Sequence, residues 1–233
     1  MSVTVIGDRG VGKTTMVHEL NESSNKERVT VQDGPDGTVG PTEELGVRTL
    51  KMVVDLPVIR QIQIQWVDTP GEAFTNRNWR NDHASAWEDI KQKMSQSRYL
   101  LLLLPPHQSL KLEDDYPTVE VWTRRVTEWL KFFNQECKKV KHILICLHKA
   151  DLFCNNIEAE GNTWNYKKSN FAFHNYSEYV FNAYFKGVEE EIRQYQAQNR
   201  GQLISFFLTT IKNRALLELP WIYIGSYQPP GGS

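Results

Sequence analysis

The stretch Gly7-Asp8-Arg9-Gly10-Val11-Gly12-Lys13-Thr14-Thr15 combines residue types that hold a phosphate, at the spacing glycine, four residues, then Gly-Lys-Thr. Glycines at 7 and 12 open backbone conformations closed to other residues, so successive N–H groups can face one anion. Lys13 adds a point charge able to reach terminal phosphates, and the Thr14 hydroxyl suits Mg²⁺. A helix opening near Lys13 would aim its positive end at the same place. A second stretch, His148-Lys149-Ala150-Asp151, offers a carboxylate that can accept two N–H bonds from the edge of guanine, a pair that adenine lacks. Lys149 could lay its alkyl stem on such a base. A third, Asp68-Thr69-Pro70-Gly71, supplies an acid able to hold Mg²⁺ through water and a glycine N–H near the terminal phosphate. Taken alone, an Asp at a strand end is often a helix cap, and a basic–acidic turn is commonplace. The glycine loop gives the other two their meaning.

Strands and helices must deliver these residues. Residues 3–6 are apolar and β-branched and run into the loop, and a helix continues from Thr14 to about Leu20. Residues 21–41, with Gly34, Pro35, Gly37, Gly40 and Pro41, read as one long loop. Two runs rich in Val, Ile and Leu, 46–56 and 58–67, turn near Pro57 and predict a hairpin. In the second, Ile62, Ile64 and Trp66 alternate with glutamines, the period of a half-buried strand that ends at Asp68. Residues 98–104 and 142–147 read as buried strands, the latter leading to His148. Helical spacing of Val119, Trp122, Val126, Trp129 and Phe133 predicts a helix over 118–138, and Val180, Phe181, Tyr184, Val188 and Ile192 predict another over 177–198. Residues 72–81 are polar, 85–95 form a short helix, 152–176 a polar and aromatic insertion, and 203–209 a last strand. Pro220 and the strand-like run 221–224 predict a closing helix that is short or missing, or completed by a further part of the chain. This alternation implies an α/β fold: a mostly parallel six-stranded sheet with one antiparallel hairpin strand and helices on both faces. Ligands of such sheets sit outside the C-terminal strand ends, where all three stretches fall.

With 27 basic against 28 acidic residues in 233, no general affinity for nucleic acid or membrane surface is indicated. No apolar run reaches the length of a transmembrane span. Cys137, Cys146 and Cys154 have neither disulfide nor zinc spacing, which suits a reducing, cytoplasmic location. With the loop starting at Gly7, no signal peptide is expected. One domain is expected over 1–227, with 228–233 as a linker or appended tail and the whole as part of something longer. His107, His142 and His174 show no metal spacing. The aromatics between 164 and 185 form either a partner surface or a packed subcluster.

A phosphate loop, Asp-x-x-Gly and Lys-x-Asp in this order resemble the Ras-like small GTPases over roughly residues 3–212. Where that family has Asn-Lys-x-Asp this chain has His148, which is similar to the Rag/Gtr branch. Phe206-Phe207-Leu208-Thr209-Thr210-Ile211 also resembles that branch's base-contacting segment, although its C-terminal dimerisation domain has no counterpart here. The resemblance implies a Ras-like P-loop NTPase fold, with GTP and GDP as ligands and Mg²⁺ as cofactor. It implies nucleotide contacts from Gly7, Asp8, Arg9, Gly10, Val11, Gly12, Lys13, Thr14 and Thr15. At the base it implies His148, with Lys149 stacking, Asp151 reading, and Thr210 and Ile211 lining. Mg²⁺ would be held by Thr14, Asp68 and Thr42, the best match to a loop threonine that meets the terminal phosphate in the triphosphate state; Thr38 is the reserve. Lys13, Thr42, Gly71 and Glu72 are the catalytic candidates. The family's water-orienting Gln is replaced by Glu72, which brings negative charge toward phosphate unless it points away. Arg77 and Arg80 either offer a charge in cis or face solvent or partners.

The expectation is a guanine-nucleotide switch that hydrolyses GTP slowly. Loops 34–45 and 71–84 would order around the terminal phosphate and meet protein effectors or regulators. A homo- or heterodimer stays open. Two other classes also stay open: a non-hydrolysing nucleotide-bound scaffold, marked by Glu72, and an ATP-dependent P-loop enzyme, against which Asp151 argues.

Overall fold

In the computed structural model the residues described are 2–8, 10–22, 28–31, 46–55, 59–68, 77–110 and 115–227. Seven strands form one sheet: β1 (Ser2–Gly7), β2 (Val29–Val31), β3 (Gly46–Asp55), β4 (Ile59–Asp68), β5 (Tyr99–Leu104), β6 (His142–His148) and β7 (Leu203–Thr209). Their order is β2-β3-β4-β1-β5-β6-β7. β3 runs antiparallel to both β2 and β4, while β4, β1, β5, β6 and β7 pair in parallel. The α/β architecture, the parallel core and the hairpin agree with the sequence reading; the six-strand expectation does not. The added strand, β2, lies inside the stretch read as a loop. Three residues are too few to show a period, and turn-forming residues surround them.

β1, β5 and β6 are central, with helices above and below. Every residue of β5 and β6 is buried, which is why both read as unbroken apolar runs. One layer holds α1 (Lys13–Asn21), α5 (Ile157–Thr163) and α8 (Arg214–Ser226); the other holds α3 (Ala84–Gln96), α4 (Val119–Glu136) and α7 (Glu189–Gln198). α4 buries Trp122, Val126, Trp129 and Phe133 as its spacing required, whereas Val119, first in that series, is exposed in the opening turn, and the Thr118 side chain accepts a hydrogen bond from Val121 N–H there.

Three further expectations change. The polar stretch before residue 85 holds a helix, α2 (Arg77–Asp82). Within it Arg80 lies with its guanidinium 5.2 Å above the Trp87 ring, so it does not simply face solvent. The helix read over 177–198 starts earlier, as α6 (Phe173–Val180), and passes through a π turn at Phe181–Phe185 and a 3₁₀ turn at Lys186–Val188 before α7. The closing helix is neither short nor missing. α8 runs thirteen residues with Pro220 inside it, and every residue from Leu216 to Gly225 is buried. Burial on all sides removes the amphipathic period and makes 221–224 look like a strand.

The aromatic insertion resolves as a packed subcluster. Trp164 lies 5.1 Å from both Tyr176 and Tyr179, and Phe173 meets Tyr223 of α8 edge-on at 5.2 Å. α6 also closes the free edge of the sheet. Ser177 Oγ accepts from Phe206 N–H at 2.9 Å, and the Tyr176 hydroxyl accepts from Leu208 N–H at 3.0 Å. Side-chain oxygens thus stand where another strand would pair.

At the opposite edge a buried ion pair of α8 holds the chain around β2. The Glu218 carboxylate accepts from Arg28 and Val29 N–H at 3.1 Å and from Arg214 Nε at 2.8 Å. Arg214 in turn donates to the carbonyls of Glu19, Leu20 and Val29.

Candidate functional site

The register of the sheet brings the three stretches to one end. Gly7 stands beside Leu103, Leu104 beside Leu147, and His148 beside Thr209. On the other side of β1, Val5 stands beside Asp68, the last residue of β4. Order reverses at β1, whose neighbours β4 and β5 carry the chain to opposite edges. That is where ligands of open α/β sheets settle.

Gly7, Gly10 and Gly12 have φ of +151°, +73° and +107°, conformations that side chains resist. A Cβ on Gly7 would lie 2.5 Å from the Leu103 carbonyl oxygen, and one on Gly12 would lie 2.8 Å from Nε2 of His148. Glycine is needed at both positions for space as well as for backbone freedom. Val11 is buried, its N–H donating to the Asp8 carbonyl at 3.4 Å. Lys13 opens α1 and folds back, its Nζ donating to the carbonyls of Gly7 at 3.0 Å and Asp8 at 3.2 Å. Thr14 and Thr15 follow in the first turn, partly exposed. A buried ammonium over a left-handed glycine loop at a helix N-terminus is a cradle for an anion.

At the end of β6, His148 is buried, with Nδ1 and Thr209 Oγ1 2.9 Å apart and the ring against Gly12. Burial, and then the neighbouring Lys149 charge, push its imidazole down to about 4, so it stays neutral at pH 7. Lys149 has φ +61°, the one non-glycine residue with positive φ among those described. Left-handed backbone at an ordinary residue costs energy and is typical of functional turns. Asp151, in the 3₁₀ turn Ala150–Leu152, accepts a hydrogen bond on Oδ1 from the Thr210 hydroxyl, whose oxygen accepts from Lys212 N–H at 3.1 Å. The carboxylate is thereby aimed. Ile211 follows Thr210, partly buried.

No protein-family model matches the chain, and no curated protein does. Among solved structures the chain is similar to an Era variant of Aquifex aeolicus bound to GDP·AlF4⁻, at 18% identity and TM-score 0.47 over 99% of this chain. It is similar to the translation elongation factor SelB of Methanococcus maripaludis in complex with the GTP analogue GPPNHP, at 13% identity and TM-score 0.43 over 98%. It is also similar to a probable GTP-binding protein, EngB, at 13% identity and TM-score 0.48 over 97%. The chain spans 57% of the Era chain, 34% of SelB and 97% of EngB. At these identities no residue role follows from the likeness.

The expected site residues thus fall into two groups. Gly7, Asp8, Gly10, Val11, Gly12, Lys13, Thr14, Thr15, His148, Lys149, Asp151, Thr210 and Ile211 gather at one end of the sheet, and Asp68 ends β4 there. Arg9, Thr42, Gly71 and Glu72 lie outside the described residues, as does Thr38. Two residues not foreseen complete the arrangement. Thr209 fixes His148, and its place before Thr210 could have suggested it. Arg125 of α4 pairs with the Asp8 carboxylate from 117 residues away, and no spacing could have signalled that. Burial raises the Asp8 carboxyl above its ordinary range, outweighing the pull of Arg125 and of Lys13.

The described residues hold no cluster of His, Cys, Asp and Glu able to bind a metal by themselves. Mg²⁺ in a phosphate site asks for less: one or two hard oxygens, with water and phosphate completing its shell. Thr14, in the first turn of α1, and Asp68, ending the strand beside β1, fit that demand.

Proposed function

We propose that the chain binds a guanine nucleotide with Mg²⁺ and hydrolyses GTP to GDP, slowly, switching between the two forms. The observation that carries this reading is the pairing of an aimed Asp151 carboxylate with a glycine cradle two strands away, joined by His148 lying against Gly12. A carboxylate fixed as acceptor matches the adjacent N1–H and amino donors of guanine. The Lys149 stem offers one apolar face to the base, and Ile211 another.

On the phosphates, loop N–H groups and the Lys13 ammonium would take up charge as water attacks the terminal phosphorus and the bond to the GDP oxygen breaks. Thr14 and Asp68, with Thr42 in the triphosphate form, are the residues proposed to hold Mg²⁺. The ion would supply charge that neutralises the phosphate oxygens. Glu72 in place of a neutral water-orienting residue is the reason for slow turnover. Loops 34–45 and 71–84 are the proposed surfaces for protein effectors, and the proposed location is cytoplasmic. Within the Ras-like superfamily the Rag/Gtr branch rests on His148 and residues 206–211 alone.

Chromatography of the nucleotide released from freshly purified, denatured protein tests this. GDP is expected. Intact GTP favours the non-hydrolysing scaffold, and ADP or ATP overturns the base reading at Asp151. Lys13→Ala is expected to abolish tight binding, and retained affinity would remove the central claim.

A further inference from the structure

Asp8 sets a carboxylate within a loop that gathers phosphate. Its side chain is 9% exposed, and a carboxylate there repels the anion the loop is built to hold. Oδ2 accepts from Arg125 Nη1, while Oδ1 is buried with no hydrogen-bond partner among the described residues. Arg125 therefore supplies the pairing this carboxylate has. Among the described residues the next cation within electrostatic reach is Lys13, whose Nζ lies 3.2 Å from the carbonyl of the same residue.

The position of Arg125 is set by the helix that carries it. Trp122 and Val126, on either side of it in α4, are buried, and Trp122 Nε1 donates to the Pro105 carbonyl at 2.9 Å. That bond ties α4 to the segment leaving β5, the strand next to β1. The guanidinium thus approaches the loop from a fixed wall.

We propose that Arg125 is a positioning residue of the phosphate loop: it holds and neutralises the Asp8 carboxylate, and so keeps that carboxylate from competing with phosphate for Lys13. The inference rests on the phosphate reading of the loop. It gives the ion pair a sign that an ordinary structural pair lacks. Without Arg125, a bare buried carboxylate beside Lys13 draws the ammonium toward itself and repels the ligand. Without both charges, the conflict disappears.

The test compares wild type, R125Q, R125K and D8N/R125Q in titrations with GDP and with guanosine, the latter followed by ligand-observed NMR. R125Q is expected to lose at least tenfold in GDP affinity while guanosine affinity changes less than twofold. R125K should lose less than R125Q. D8N/R125Q, in which a neutral amide replaces the carboxylate, should recover GDP binding to within threefold of wild type. Equal losses for GDP and guanosine in R125Q, or a double variant as weak as R125Q, would reduce the pair to a prop of the scaffold and overturn the proposal. If wild type takes ADP and not GDP, the base reading fails instead. The same four proteins with ADP against adenosine then still decide the role of Arg125.

Discussion

Gly12→Ala is the sharpest probe of the contact between the phosphate loop and the base-side strand. Alanine at φ +107° carries backbone strain of about 1–3 kcal/mol. Its Cβ would also stand 2.8 Å from His148 Nε2, closer than such atoms approach. His148 has little room to retreat, because it is buried and its other nitrogen is tied to Thr209. Moving it would sacrifice that hydrogen bond, about 1 kcal/mol. The total is about 3 kcal/mol, or a urea midpoint lowered by about 1–2 M at slopes of about 2 kcal/mol/M. Gly10→Ala is the internal control. Gly10 is also left-handed, at φ +73°, but a Cβ there meets nothing within 4 Å among the described residues. Its cost should be the left-handed strain alone, about 1 kcal/mol. Paired urea titrations of the two variants separate strain from collision. If Gly12→Ala costs no more than Gly10→Ala, His148 is not fixed against the loop, and the link between the two halves of the site fails.

Asp151→Asn should shift preference from guanine toward xanthine, because the amide donates where the carboxylate accepted; competition titrations with GDP and XDP read it, and no shift would discard the base assignment. Glu218→Ala leaves Arg214 buried without its partner and two backbone N–H groups unsatisfied. A loss of about 3–5 kcal/mol by urea unfolding is expected, with faster amide exchange at Arg28 and Val29; a loss below 1 kcal/mol would refute the clamp. Stability should also fall in acid. Burial pushes His142 and His148 down to about 4, with Arg98 and Lys149 respectively adding to the effect. The unfolded chain takes up these protons near pH 6.5 while the folded protein refuses them. Their stabilisation is therefore whole above about pH 6.5 and is lost as pH falls toward 4, by up to roughly 3 kcal/mol for each. His142→Gln should remove about half of that acid loss in urea titrations at pH 7.5 and 4.5, and an unchanged loss would count against the assignment.

Local patterns carried much of the architecture. Strand runs, hairpin and phosphate loop are each written in residues that are neighbours along the chain, and the order of strands and helices follows from connection rules. What stayed hidden depends on distance along the chain or on complete burial. β2 is too short for a period, and α8, buried all round, lost the stripe that would have marked it as a helix. Arg214 and Glu218 are four apart and visible as a helical pair, but nothing nearby says that they sit in the interior, holding residues 19, 20, 28 and 29. The Asp8–Arg125 pair is the extreme case. Arg125 looks like ordinary surface charge, and the loop gives no sign of a partner for Asp8, until the fold brings them together.

The Arg214–Glu218 clamp also orders events in time. The end of α1 and the start of β2 find polar partners in a helix that begins about 190 residues later. During synthesis at about 5–20 residues per second, these carbonyls and N–H groups would wait about 10–40 s for α8 to emerge. The end of α1 and the start of β2 are then among the last parts of the molecule to lock, although they are among the first to be made. Contacts of such long range also slow folding in general. Nascent chains cut short of residue 214 should hold a formed β1 and an unanchored α1, open to proteases until the last helix docks.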